Sequence, residues 1–188
     1  SQQRSARSHG DPQLRREETR PHISSIAAIG FGRHIKGIKE TDPAFKSGIP
    51  YNDAKLDAEK LVMSYHKSGK IACTIIRPAN VTGPGSLWVR DIVEKMIAMP
   101  MPLIDHGRHS SSLIYVNNLV DGIILAGIKD IAKGKIYQLR DDWDVTWAQY
   151  ITDLGAFTGK KPMGSIPYWP ARVLGSIFDL VCTPLKIR

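Results

Sequence analysis

Short apolar runs alternate along this chain with longer stretches of helical periodicity. Four runs rich in β-branched residues predict strands, at residues 23–29, 71–76, 113–116 and 136–139. Elsewhere, apolar residues recur every three or four positions and predict helices, at residues 52–68, 88–97, 119–128, 147–157 and 170–182. Strands and helices in alternation indicate an α/β fold built on a parallel sheet.

Turn-forming and capping residues set the predicted boundaries of these elements. Asn52 offers an N-cap for the first helix, and Thr146 offers one for the fourth. Pro78 ends the second strand, and the glycine- and proline-rich residues 79–86 predict a loop.

The first twenty residues differ from the rest of the chain. They hold five arginines among Ser, Gln and acidic residues, and Leu14 is almost the only large apolar side chain there. Such a segment cannot join a core, so we expect a disordered leader over residues 1–20 and a folded domain over residues 21–188.

The composition fits a globular domain of 188 residues, 42% of them hydrophobic, with a formal net charge of +8. The basic charges are dispersed rather than interleaved with aromatic residues in a stripe, so nucleic acid is not an expected partner. Cys73 and Cys182 provide neither a disulfide framework nor zinc-site spacing, and no metal is expected. No apolar stretch approaches the ~18 residues of a membrane span, so we expect a cytoplasmic protein that does not enter the membrane.

The candidate chemistry lies at Ser25, Tyr51 and Lys55. Ser25 falls in the first predicted strand, and the other two residues lie one turn apart at the start of the first predicted helix. An ammonium held beside a phenol favours the phenolate, which makes tyrosine a usable acid-base group. A serine hydroxyl can bond the same substrate oxygen while an alcohol becomes a carbonyl, or the reverse.

Four segments extend this pattern: residues 22–30 (HISSIAAIG), 51–59 (YNDAKLDAE), 76–85 (IRPANVTGPG) and 113–120 (LIYVNNLV). In order and spacing they resemble the serine-bearing strand, the YxxxK helix, the RPxNxxGPG segment and the YVDDLV segment of the extended short-chain dehydrogenase/reductase family. The resemblance is to its NAD-dependent epimerase/dehydratase type, and it spans about residues 22–180.

The resemblance implies a role for each catalytic position. Tyr51 would be the acid-base residue, and Lys55 would assist it and hold the ribose hydroxyls of the nicotinamide half of NAD or NADP. Ser25 would bind the reacting oxygen. The sequence does not choose between the two cofactors.

The resemblance also implies contacts farther along the chain. Pro78 would lie beside the nicotinamide, and Asn80 with the loop to Ser86 would face the substrate. The region around Arg108 would do the same, although a solvated loop arginine is an equal alternative there. Asn117 and Asn118 stand where the family commonly has acidic residues, which leaves the local hydrogen bonding open.

A second departure concerns the glycine-rich turn that holds the cofactor pyrophosphate in this family. The sequence contains no GxGxxG, and Gly30 with Gly32 falls in a loop after the serine-bearing strand. The implied fold is therefore a partial Rossmann-like, doubly wound parallel sheet that lacks its first strands. A small C-terminal substrate-binding lobe would comprise approximately residues 79–110 and 140–188, and the Ser25 strand would be an open edge.

The resemblance implies an NAD(P)-dependent oxidoreductase or epimerase, an isomerase in the latter case, that acts at a secondary alcohol or ketone. A nucleotide sugar leads as the small-molecule substrate and a hydroxysteroid-like compound follows. By analogy, a homodimer would form through the YxxxK helix. The alternative is a catalytically inactive chain without the dinucleotide-binding half, which acts at most as a packing or interaction module.

Overall fold

The computed structural model describes residues 18–30, 37–99 and 101–175. Residues 1–17 of the predicted leader lie outside this part of the chain. Thr19 is already buried, and Arg20 opens the first strand. The folded region therefore begins by Thr19.

The described residues confirm an α/β fold. Its strands are β1 Arg20–Ile23, β2 Cys73–Pro78, β3 Asn80–Thr82, β4 Leu103–Ile104, β5 Leu113–Tyr115, β6 Ile136–Leu139 and β7 Ser165–Ile166. Its helices are α1 Pro50–Lys67, α2 Leu87–Ala98, α3 Val116–Ile128 and α4 Trp147–Thr158. Residues 168–175 are also helical, while the rest of the helix predicted at 170–182 lies outside the described residues.

The strands form three small sheets. The largest has the order β1-β2-β6, so β1 lies at its edge among the described residues, as expected for the strand before Ser25. β1 runs parallel to β2, with Ile23 opposite Ile76. The other two sheets pair β3 with β5 and β4 with β7, both in parallel. Parallel pairing throughout these registers agrees with the predicted sheet type.

The chain divides into two compact units. Within the described residues, the first unit comprises the chain up to Arg77 together with Ile123–Tyr137, and the second comprises Pro78–Gly122 together with the chain from Gln138 onward. In the first unit, every residue of β2 from Cys73 to Ile76 is buried, and the Thr74 hydroxyl donates to the Ala132 carbonyl at 2.7 Å. Such a strand, buried on both faces, explains the continuous β-branched run in the sequence.

The strand predicted over residues 23–29 is wrong beyond its first residue. β1 ends at Ile23, and Ile26–Ile29 form a short 3₁₀ helix instead. The chain turns because the Ala27 amide donates to the Ser25 side chain and the Ala28 amide donates to the Ser25 carbonyl. Ala27, Ala28 and Ile29 are buried in this turn. The apolar run that predicts a strand therefore forms a buried turn instead.

The predicted N-cap of the first helix is also wrong. α1 begins at Pro50, with Ile49 at the N-cap and proline in the first turn, where its missing amide costs nothing. Asn52 lies inside the helix, buried, and its amide donates to the Ser47 hydroxyl at 3.1 Å. The carboxylate of Asp53 accepts the amides of Ser47 and Gly48 and so fixes the turn before the helix.

Two further boundaries differ from the prediction. Residues 79–86 are not all loop, because β3 pairs with β5 and places Asn80 opposite Leu113. α3 begins at Val116 rather than Leu119. The other predicted elements agree within one or two residues, and Thr146 caps α4 by accepting the Gln149 amide, as predicted.

Candidate active site

Ser25 lies in the turn that follows β1. It caps the 3₁₀ helix Ile26–Ile29, and its Oγ accepts the Ala27 amide at 3.1 Å. A serine hydroxyl has one proton to donate and two lone pairs. Because the capping bond uses a lone pair, the proton remains available for an oxygen outside the turn.

Tyr51 and Lys55 lie in the first two turns of α1, which packs against the 3₁₀ helix capped by Ser25. The Tyr51 side chain is 58% exposed. The Lys55 Nζ lies 5.9 Å from the centre of the Tyr51 ring and donates to the Ile23 carbonyl at 3.2 Å. The fold thus ties the lysine to the end of β1, two residues before Ser25.

One turn farther along α1, Glu59 forms a buried ion pair with Arg77 of β2. Arg77 Nε donates to Oε1 at 2.9 Å and Nη2 donates to Oε2 at 2.7 Å, and each side chain is 4% exposed. Two parallel bonds of this kind are the strong form of an ion pair. Sequence reasoning did not single out either residue, although Tyr51, Lys55 and Glu59 are spaced four apart and so share a helix face.

His22 of β1 completes this polar cluster. Burial lowers the pKa of its imidazole, and the nearby Lys55 ammonium lowers it further, while the Glu59 carboxylate opposes the change. Its Nε2 is buried and has no hydrogen-bond partner among the described residues, and the same holds for the Ser24 hydroxyl. Burial and the lysine therefore both favour the neutral form of this histidine.

Pro78 and Asn80 belong to the second unit. Pro78 is the last residue of β2 and is buried. Asn80 opens β3 and is partly buried, and its Nδ2 donates to the Ser111 carbonyl at 2.7 Å. The bond fixes the amide group and leaves its Oδ1 as an acceptor.

Arg108 lies on the surface of the second unit. Its side chain is 69% exposed, and its Nη2 pairs with Asp105 at 2.7 Å. His109 approaches the same carboxylate at 3.2 Å. Asp105 therefore neutralises the arginine locally, and a role for Arg108 in substrate binding stays a prediction.

One of the two asparagines that depart from the family pattern, Asn118, has an acidic partner farther along the chain. Asn118 Nδ2 donates to Asp141 at 2.8 Å, and the Tyr115 amide donates to the other oxygen of that carboxylate at 2.9 Å. Asp141 thus supplies a negative charge at the N-terminus of α3, where the helix dipole favours one. Sequence reasoning missed Asp141, and no local motif marks it.

Among the described residues, no group of three or more His, Cys, Asp or Glu side chains could hold a metal ion. Over the same residues, no helix combines the length and apolar character that crossing a membrane requires.

In this structure, a strand of a parallel sheet leads into a turn capped by serine, and the adjacent helix bears tyrosine and lysine one turn apart. This arrangement is typical of short-chain dehydrogenases and reductases. The family model described as "NAD dependent epimerase/dehydratase family" matches residues 18–139, well over half of the chain. The chain belongs to this family.

Curated relatives agree with this assignment. The chain is 28% identical over 160 residues to a UDP-glucose 4-epimerase from Vibrio cholerae, a match that covers 83% of this chain and 48% of the relative. It is 27% identical over 154 residues to a ketoreductase of Stigmatella aurantiaca that acts on a farnesyl-dihydroquinoline oxide, which covers 80% and 46%. The chain thus spans about half the length of the curated relatives it matches.

Solved structures share the fold. The epimerase Mth375 from Methanothermobacter thermautotrophicus superposes with a TM-score of 0.67 at 21% identity, covering 78% of this chain and 46% of that one. The UDP-glucuronic acid 4-epimerase of Bacillus cereus gives a TM-score of 0.64 at 21% identity, covering 78% and 48%. These likenesses confirm the predicted partial Rossmann-like fold.

Proposed function

We propose that this chain carries the acid-base residues of an NAD(P)-dependent oxidoreductase or epimerase that acts at a secondary alcohol or ketone. The observation that supports it is the bond from Lys55 to the Ile23 carbonyl. It ties the YxxxK helix to the chain immediately before Ser25, so that the predicted catalytic residues belong to one packed unit.

The donor set fits the nicotinamide-ribose end of a dinucleotide. An ammonium has three protons to donate, and the Ile23 carbonyl takes one of those of Lys55. The other two suit ribose hydroxyl oxygens. Gly30 does not fit the pyrophosphate end, because a Cβ there would lie 2.5 Å from the Phe45 carbonyl oxygen. Glycine is needed at this position because the Phe45 backbone lies close to it, and not because a phosphate binds there.

When bound, NAD or NADP supplies the group that takes up or gives the hydride. In oxidation the Tyr51 phenolate oxygen would accept the proton of the substrate alcohol, and in reduction the neutral Tyr51 hydroxyl would return that proton. The Ser25 proton, unused by the capping bond, donates to the same substrate oxygen and steadies its developing charge. Lys55, whose Nζ lies 5.9 Å from the centre of the Tyr51 ring, would hold the ribose hydroxyls beside this tyrosine.

The substrate is a small molecule with an oxidisable carbon-oxygen centre. A nucleotide sugar is one candidate, because one similar protein is a UDP-glucose 4-epimerase. An apolar compound is another candidate, because a second similar protein is a ketoreductase of a farnesylated compound. We propose Asn80 and Arg108 as substrate contacts and Pro78 as a neighbour of the nicotinamide. A homodimer through α1 stays a proposal of the same kind.

Turnover of a panel of ketones, nucleotide sugars and secondary alcohols, followed by NADH and NADPH absorbance, tests the proposal. Tyr51→Phe should reduce kcat by roughly 10²–10⁴-fold, because it removes the proton-transferring group. Tyr65→Phe is a matched control, since Tyr65 is an exposed tyrosine on the same helix. Turnover that survives Tyr51→Phe unchanged, or its absence with every compound in a folded chain, would contradict the proposal and favour the inactive alternative.

A further inference from the structure

The second unit contains a cavity of about 330 Å³, within the range of small-molecule sites. It is lined by residues 81–88 and by Val116 of α3. The lining begins at Val81, directly after Asn80, the residue proposed to face the substrate. Val81, Pro84, Leu87, Trp88 and Val116 give it a mainly apolar surface.

No charged side chain is among the residues that line this cavity. Both of its hydroxyls are already bonded within the protein: Thr82 donates to the Ile114 carbonyl, while Ser86 donates to the Val81 carbonyl and accepts the Trp88 amide. The next amides of α2, those of Val89 and Arg90, donate to the Ser86 carbonyl. The helix terminus beside the cavity therefore has these amides engaged, whereas a phosphate site presents its amides to the ligand.

Trp88 forms a fixed aromatic wall on this cavity. It is 40% exposed, yet its ring lies 5.8 Å from that of Trp147, which in turn meets Tyr150 edge-on at 6.0 Å. The Tyr150 hydroxyl closes the arrangement by donating to the Trp88 carbonyl at 3.1 Å. An exposed aromatic ring held in one position loses little entropy when an apolar group packs on it.

Gly83, another residue of the lining, lies close to Val116 of α3. Its φ is +138°, and a Cβ there would lie 2.8 Å from Val116 Cγ1. The loop therefore lies directly against α3, and its shape is set by the backbone before any ligand enters.

We propose that this cavity binds an uncharged hydrocarbon portion of the substrate, such as an isoprenoid chain or a fused ring system. This inference rests on the proposed function and narrows its substrate to an apolar alcohol or ketone rather than a nucleotide sugar. A nucleoside diphosphate carries charges that this lining does not meet, whereas a hydrocarbon loses water on both surfaces when it packs against Leu87 and Trp88.

Fluorine NMR of the full chain labelled with fluorotryptophan tests the inference without cofactor or turnover. The chain has four tryptophans, and Trp88→Phe identifies the Trp88 resonance. We expect geraniol to shift that resonance saturably and UDP-glucose to leave it unchanged. A shift produced by UDP-glucose, or none produced by geraniol, would overturn the proposal.

A charge placed in the lining sharpens the test. Leu87→Asp should weaken geraniol binding by about tenfold or more, because the hydrocarbon would desolvate the carboxylate. The change suits folding, since Leu87 begins α2 and an acidic residue is favourable there. Leu61→Asp on α1 is the matched control, because Leu61 and Leu87 are both 59% exposed and Leu61 lies outside the cavity.

Equal weakening by both variants, with unchanged circular dichroism, would overturn the assignment of the cavity. The outcome is separate from that of the proposed function. If geraniol binds at Trp88 but no turnover depends on Tyr51, only the catalytic proposal is contradicted. If nucleotide sugars are turned over in a Tyr51-dependent way and geraniol does not bind, only the proposal of a hydrocarbon site is contradicted.

Discussion

Two ion pairs in this protein have the same N···O distance, 2.7 Å, and very different surroundings. Arg77 and Glu59, in the first unit, are each 4% exposed. Arg108 and Asp105, in the second unit, are 69% and 18% exposed. The distances alone would suggest that the two pairs are equally strong. Their contributions to stability differ, because water screens the exposed pair and is excluded from the buried one.

The buried pair joins the helix of Tyr51 and Lys55 to the central strand of its sheet. Arg77 Nη1 is buried and has no partner among the described residues, so the guanidinium depends on Glu59 for compensation of its charge. The exposed pair joins residues three apart, the first residue and the C-cap of a short 3₁₀ helix, and is screened by solvent. The first pair is therefore part of the folded framework of the candidate site, and the second is a local surface contact.

Glu59→Ala should have the largest effect on stability. It leaves the Arg77 charge buried and unpaired, which costs roughly 3–5 kcal/mol of the free energy of unfolding. Urea denaturation followed by circular dichroism measures the change. A loss below about 1 kcal/mol would show that the buried pair contributes no more to stability than a surface pair.

Replacing both partners tests whether the loss comes from the orphaned charge. We expect the double variant Glu59→Leu with Arg77→Met to recover most of the stability, because apolar side chains of similar volume need no compensation. The same denaturation experiment applies. A double variant as unstable as Glu59→Ala would mean that the bonds themselves, rather than the unpaired charge, hold the helix.

His22 should give a smaller effect that depends on pH. Because its pKa is lowered in the folded protein, the unfolded chain binds the proton more readily. Its contribution to stability is complete above the ordinary value of 6.5 and is lost as the pH falls from there through the folded pKa.

The comparison is between the wild type and His22→Asn, with denaturation measured at pH values on both sides of this window. The variant should lose less stability on acidification. Parallel curves for the two proteins would contradict a lowered pKa of the partly buried His22 imidazole.

The smallest effect is expected at the surface. Arg108→Gln should change the free energy of unfolding by about 1 kcal/mol or less, since exposed pairs contribute little and salt screens them. Thermal or urea denaturation at low and high salt measures it. A loss of stability comparable to that of Glu59→Ala would contradict the expected difference between the exposed and the buried ion pair.

The sequence predicted what depends on local pattern. The period of the apolar residues located α2 and α4 closely, because these two helices pack against each other, and the short run at residues 136–139 located β6. It failed at residues 24–29, where an apolar run suits a buried turn as well as a strand. It also failed at Asn52, whose side chain lies inside the helix and donates to the Ser47 hydroxyl instead of capping.

Long-range pairing could not be predicted. The bonds of Glu59 to Arg77 and of Asn118 to Asp141 join residues 18 and 23 positions apart, and nothing local marks either pair. The motifs did place Tyr51, Lys55 and Ser25 in one packed unit, but their roles remain proposals. Packing, not motif, decided that Lys55 would bond the Ile23 carbonyl.

Titration of the chain with NADH and NADPH, followed by cofactor fluorescence, tests the central proposal most directly. We expect saturable binding that Lys55→Ala weakens and Lys60→Ala, an exposed lysine on the same helix, leaves unchanged. Binding insensitive to Lys55→Ala, or no binding by the folded chain, would contradict a cofactor site at this lysine.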